Sequence, residues 1–420
     1  MITPLPSQTT TPSDSSDEKQ KSTKSRIHYL DDLRALTMLN VVFGHATMSF
    51  AVKAPSGWAA LDRSRSIVFD LIIFLIASHA MQLFFFLAGF FSMLVVQKKG
   101  NATFAISRWK RIVVPFLLSV VTVLPLLQVV GLYGTYEKAT IPKSGSFRDS
   151  VIAYFTRGVR FSELNWGHLW FLLYLILITA LFILALTVVK RLNINHLLDS
   201  LVKKVSQSPL KPLLLAVPTA ILMQFMNWMI DTPSQLLPEW PIVAYYVFFY
   251  FTGVLFSRVS TSFLQPQPYW KLYLYLGLLV VAPATLGLMM RSSYEVDMRN
   301  SSFYVGAIVA CALLTWLLIF GMIGLFQKRF SKPTKLISYL SEASLWIYII
   351  HFPVVLYLQV VVMHWQWPVF LKFLFVSAVT WAVLVGSYEY LVRRTWLGVL
   401  LNGRKSMPVS SPGPDGGVPA

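Results

Sequence analysis

Between residues 31 and 392 the chain is a succession of apolar runs, each close to the length a helix needs to cross a bilayer and each closed by a charged or turn-forming segment. A helix that is apolar all round has to be surrounded by other apolar matter, which removes water-soluble folds from consideration. Ten runs are read, at 31–52, 67–96, 112–132, 166–189, 213–230, 242–257, 271–290, 302–326, 338–363 and 371–392. Lipid offers the backbone no hydrogen bonds, so each run is expected to close its own as a helix. The expected fold class is all-α, a polytopic membrane helix bundle of about ten transmembrane helices. The run at 67–96 is about 45 Å long as a helix against a hydrocarbon core of about 30 Å, so it has to tilt, bend or project. Gly89 is the expected bend.

Charge then orients the bundle. The chain has 36 Lys and Arg against 18 Asp and Glu, a net charge of +18, yet only 13% of its residues are charged where a soluble domain has roughly a quarter. The basic balance suits nucleic acid, but the apolar runs do not, so membrane lipid and not nucleic acid is the expected surface partner. Of the 36 basic residues, 24 fall in the tails and in the loops on the same side, and 10 on the other, with Arg34 and Lys372 inside runs. The positive-inside rule therefore predicts both termini in the cytoplasm. Residues 1–26, rich in Ser, Thr, Pro and Lys, read as a disordered cytoplasmic leader and not a cleavable signal. Residues 27–405 form the membrane domain, and 406–420 a Pro/Gly/Ser cytoplasmic tail. Cys311, the single cysteine, has apolar neighbours and is assigned to packing.

Ionisable groups inside membrane spans are costly, so each is a site hypothesis. Asp31, Arg34 and His45 are separated by three and eleven residues, which puts them on one stripe of the first helix, with His45 about 16 Å beyond Arg34. The alternatives are a snorkelling Arg34, an Asp31 cap and a His45 that bonds a neighbouring helix. Ser338, Ser341, Ser344, Tyr348 and His351 make a second stripe, facing a cavity or gluing helices together. His168 opens the fourth run between Trp166 and Trp170, and these rings suit either sugar stacking or an interfacial aromatic belt. His79 and Gln82 lie at mid-depth, where they can join the same cavity; Glu389 can pair with Arg393 four residues on. Arg108 and Arg111, on one helical face before the third run, suit phosphate or a plain positive-inside anchor. No metal-ligand spacing is present.

Together these pieces resemble the membrane acyltransferase-3 family. An Arg near the start of the first helix, a His about eleven residues on, and Arg-x-x-Arg before the third helix are its hallmarks, occupied by Arg34, His45, Arg108 and Arg111. The ordered set Tyr29-Leu30-Asp31-Asp32-Leu33-Arg34-Ala35, Gln82-Leu83-Phe84-Phe85, Ala88-Gly89-Phe90-Phe91-Ser92, His168-Leu169-Trp170-Phe171, Ser344-Leu345-Trp346-Ile347-Tyr348 with His351, and Tyr388-Glu389 is similar to the members that succinylate periplasmic glucans. One position departs: members often carry His or Arg immediately before the Met of the second helix, where this chain has Ala80-Met81.

The resemblance implies a multi-pass enzyme of the bacterial inner membrane. It would move an acyl group, succinyl in the closest members, from cytoplasmic acyl-coenzyme A to hydroxyls of a periplasmic glucan or other glycan, with no permanently bound cofactor. In that scheme His45 is the general base, Arg34, oriented by Asp31, holds the donor or the acyl carboxylate, and Arg108 and Arg111 bind the coenzyme phosphates. His351, His168, Trp170, Tyr348, Glu389 and Gln82 support substrate or site. Two rivals follow from the same residues. One is acetyl transfer to lipopolysaccharide or exopolysaccharide. The other is a proton-coupled exporter of glycan or anion, against which the lack of a visible internal repeat and the placement of Arg-x-x-Arg argue.

Overall fold

Apolar runs deprived of water close their backbone bonds locally, and helix is the regular structure throughout the described residues. A computed structural model describes residues 14–54, 57–138, 146–157, 166–192, 195–226, 233, 237–295, 297–330 and 335–402. In chain order the helices are α1 (Asp14–Thr47), α2 (Ile67–Ala77), α3 (Ala80–Arg108), α4 (Val114–Lys138), α5 (Phe147–Arg157), α6 (Trp170–Leu192), α7 (Asn195–Gln207) and α8 (Lys211–Gln224). They continue as α9 (Trp240–Arg258), α10 (Ser260–Phe263), α11 (Trp270–Leu276), α12 (Ala282–Ser292), α13 (Ser302–Arg329), α14 (Lys335–Val362), α15 (Val369–Ser387) and α16 (Trp396–Asn402). Seven helical segments among the described residues are long and apolar enough to cross a membrane; one of them, Ile67–Thr135, carries α2, α3 and most of α4. The protein is an all-α polytopic membrane bundle. α8, at 14 residues, spans only about 21 Å and stops short of the run expected at 213–230.

Two expectations change. The overlong second run breaks at Ser78–His79, where His79 adopts φ −142° and ψ −24°, and not at Gly89. Gly89 lies inside α3 and serves close packing: a Cβ there would overlap the backbone carbonyl of Tyr250 on α9, and one at Gly253 would overlap that of Phe86 on α3. Missing side chains let two membrane helices approach backbone to backbone, the usual role of small residues between helices in lipid. The turn toward α4 comes instead at Gly100, whose φ of 78° favours glycine. Helix α1 also begins at Asp14, inside the stretch expected to be an unstructured leader. Glu, Gln and Lys are good helix formers, and the apolar span has already met the cost of nucleation. The C-terminal tail expected at 406–420 lies outside the described residues.

Around α13, whose middle is buried, pack α8, α11, α12 and α1; α14 packs on α1, α4 and α15. Lys372, read as a cation stranded in a span, is 2% exposed in the first turn of α15 and pairs with the fully buried Asp62 at 2.7 Å. Asp62 also receives the Ser64 amide at 2.8 Å, so this pair fastens the α1–α2 connection to α15.

Candidate active site

α1 and α14 lie side by side and run parallel, and their polar stripes meet rung by rung. At one rung Arg34 Nη2 donates to Ser341 Oγ at 3.3 Å. Eleven residues further along α1, His45 Nδ1 faces His351 Nε2 at 3.1 Å. Beyond that, Gln359 Nε2 donates to the carbonyls of His45 and Ala46 at 2.8 and 3.1 Å, and its Oε1 accepts from Trp58 Nε1 at 3.0 Å. Gln359 was missed from sequence, although a lone amide inside an apolar run is the signal that marks such sites.

At the arginine end the stripes open into a cavity of about 510 Å³. Arg34, Arg108 and Arg111 line it with Asp31, Asp32, His28, Glu342 and the serines of α14. Asp31 holds Arg34 at 3.3 Å, three residues apart on the helix. Arg108 donates to Ser92 Oγ at 3.2 Å and lies 5.0 Å from the Phe104 ring centroid. A five-residue π-helical turn, Trp109–Val113, separates α3 from α4 here, and both arginines of the pair face the cavity. π-turns of this kind are enriched at functional sites. Leu401 of α16 closes one wall, and Phe84, Phe171, Leu172 and Tyr348 form the inner end.

Past Tyr348 sit three imidazoles. The His351 ring centroid is 5.0 Å from that of His45 and 5.1 Å from that of His168. His168 is carried by the short 3₁₀ turn Gly167–Leu169 that leads into α6, and Tyr348 Oη donates to its carbonyl. His351 Nδ1 is 2.7 Å from the Tyr348 carbonyl, which accepts only, so Nδ1 carries the proton. The neutral ring then has a bare Nε2, and His45 Nδ1 has to be the donor of the 3.1 Å contact. In that tautomer Nε2 is the basic nitrogen of His45, and the Val41 carbonyl one turn back on α1 also bonds the ring. His168 Nε2 donates to the Ile349 carbonyl at 2.9 Å, and its Nδ1 is buried with no partner. Only His45 and His351 meet nitrogen to nitrogen, His168 bonds the backbone instead, and no metal-holding group of His, Cys, Asp or Glu occurs among the described residues.

The other expected site residues divide. Tyr348 bridges cavity and imidazoles. His168, expected at an outer rim, is 4% exposed beside His351, because Gly167 (φ 51°) turns the chain inward before α6 begins. Trp170 is 6% exposed and packs on Phe171, Tyr174 and Tyr246. Gln82 points away from the cavity, donating to Tyr245 Oη at 3.1 Å, and His79 Nδ1 is taken by the Leu75 carbonyl at 2.7 Å. Glu389 pairs with Arg393 at 2.9 Å and does not line the cavity.

The acyltransferase-3 family model, described as an acyltransferase domain, matches residues 27–388. The chain belongs to the acyltransferase-3 family. That match contains every residue of the two stripes, the Arg108–Arg111 pair and the three imidazoles. No curated protein and no solved structure matches the chain. The protein is a multi-pass membrane protein carrying an acyltransferase domain.

Proposed function

We propose that this acyltransferase takes an acyl group from cytoplasmic acyl-coenzyme A and esterifies a hydroxyl of a periplasmic glycan, with both termini in the cytoplasm of a bacterium and the bundle in its inner membrane. The observation that carries this reading is the His45–His351 pair, 3.1 Å nitrogen to nitrogen, beyond a cavity lined by three arginines. Arginine suits phosphate bidentately, so the coenzyme's phosphates are read onto Arg34, Arg108 and Arg111. The long pantetheine arm then passes Tyr348 toward His45, about 16 Å along α1 from Arg34.

His45 Nε2 takes the proton from the glycan hydroxyl as its oxygen attacks the thioester carbonyl. The C–O bond forms, the tetrahedral intermediate collapses, and the C–S bond breaks. The imidazolium returns its proton to the departing thiolate. A general base of this kind supplies about 10² to 10⁴ in rate. The resemblance of the ordered motifs to glucans biosynthesis protein C favours succinyl as the acyl group and a glucan as the acceptor, with Arg34 near the succinyl carboxylate or the donor phosphate.

The test incubates purified protein with glucan and with succinyl- and acetyl-coenzyme A in competition, and reads ester formation by mass spectrometry. Succinyl ester is expected; acetyl ester alone replaces the donor assignment, and glycan uptake into proteoliposomes without any ester rejects the enzyme reading. His45→Ala and His45→Gln should fold and lose transfer, and turnover near wild type in either removes His45 as base. Radiolabel trapped on the protein without acceptor would instead establish an acyl-histidine relay.

A further inference from the structure

We infer that Asp32 is a ligand-recognition residue of the arginine-lined cavity, accepting a hydrogen bond from the exocyclic amine of an adenine nucleotide. The inference rests on the acyl-coenzyme A reading and extends it to the other end of the donor. α1 presents two successive carboxylates that differ by about 100° around the helix. Asp31 is committed to Arg34 at 3.3 Å. Asp32 lines the cavity, is 4% exposed, and has an Oδ2 that is buried without a hydrogen-bond partner. His28 and Asp31 are the charged or titratable neighbours that act on it.

A buried carboxylate oxygen lacking a donor is costly, and native proteins rarely leave one so. A cavity made for phosphate alone gains nothing from a buried carboxylate oxygen in its wall that no cation or N–H meets, since that charge repels the anion. The wall suits a ligand carrying both phosphates and an N–H donor. Position along α1 says which part of the donor this is. Asp32 is thirteen residues from His45, about 20 Å along the helix axis. With the thioester at His45, the group at Asp32 belongs to the far, nucleotide end, where the purine's amine is the donor. Rotation about χ2, a soft torsion in Asp, turns either carboxylate oxygen toward the cavity.

The experiment compares binding of coenzyme A with its hypoxanthine counterpart, in which an oxygen replaces the amine, to the full-length protein in nanodiscs. Wild type should bind the hypoxanthine form about ten- to hundredfold more weakly, the range for a hydrogen bond to a charged group. Asp32→Asn, which keeps the shape, should narrow or reverse that preference. Equal binding of the two forms by wild type overturns the purine contact, as does undiminished discrimination by Asp32→Asn. Failure of wild type to bind either form rejects the coenzyme reading itself, so the two failures are told apart. The wild-type comparison decides the question even where the variant does not fold.

Discussion

His351 makes hydrogen-bond contacts to His45 and to a backbone carbonyl, so its contribution to transfer can be worked out before it is measured. His351→Phe keeps a planar ring in a site of zero exposure and removes both nitrogens. The Tyr348 carbonyl loses the 2.7 Å donor, a stability loss of about 1 kcal/mol. His45 Nδ1 loses its acceptor at 3.1 Å, which acts twice on the chemistry. The neutral ring is no longer held with Nε2 bare, and the imidazolium formed during transfer loses a charge-assisted hydrogen bond of about 1.5–3 kcal/mol. At 1.36 kcal/mol per tenfold, kcat should fall about 10- to 150-fold while KM for the donor stays within about twofold. His351→Gln offers an amide oxygen to His45 Nδ1 and should recover part of the loss. Because His351 acts through His45, adding His351→Phe to His45→Ala should cost less than about threefold. Steady-state ester formation in nanodiscs measures all four proteins, with size-exclusion profiles as the folding control. A His351→Phe loss below threefold, or one that multiplies in full with that of His45→Ala, refutes the positioning role.

Arg108→Ala should raise the donor KM about 10- to 100-fold with a smaller effect on kcat, the pattern of a lost charge-assisted contact, and saturation curves across donor concentrations check it. Lys372→Met strands the fully buried Asp62 carboxylate and should destabilise the fold by about 3–5 kcal/mol; adding Asp62→Leu should restore most of that, read by thermal unfolding in detergent. Gly253→Ala forces a methyl into the Phe86 carbonyl and should cost about 1–3 kcal/mol or prevent assembly, seen as a lost monodisperse peak.

Helices and stripes were legible because they depend on local spacing. The three- and eleven-residue intervals linking Asp31, Arg34 and His45 place them on one face whatever surrounds them, and the intervals from Ser338 to His351 do the same for α14. What spacing does not carry is which stripe meets which. His168 and His351 are 183 positions apart, and their contact depends on how a short 3₁₀ turn enters the bundle. The rings beside His168 suit sugar stacking or an interfacial belt in the sequence, and it takes packing to show Trp170 buried among other rings. The three-residue interval sets Asp31 beside Arg34 already in the sequence, whereas the burial of Asp32 with one oxygen unmet depends on packing around α1. Gly89 was read as a hinge because glycine loosens an isolated helix, whereas in contact with α9 it tightens one.

The two halves of the histidine pair are 306 residues apart in the chain. At a synthesis rate of about 5–20 residues per second, His351 leaves the ribosome roughly 15–60 s after His45 has done so. For that interval the first helix lacks its α14 partners, with His45 waiting for His351 and Arg34 for Ser341. On the proposed reading a fragment ending before α14 should show no transfer, and should regain it when the missing part is supplied as a separate polypeptide.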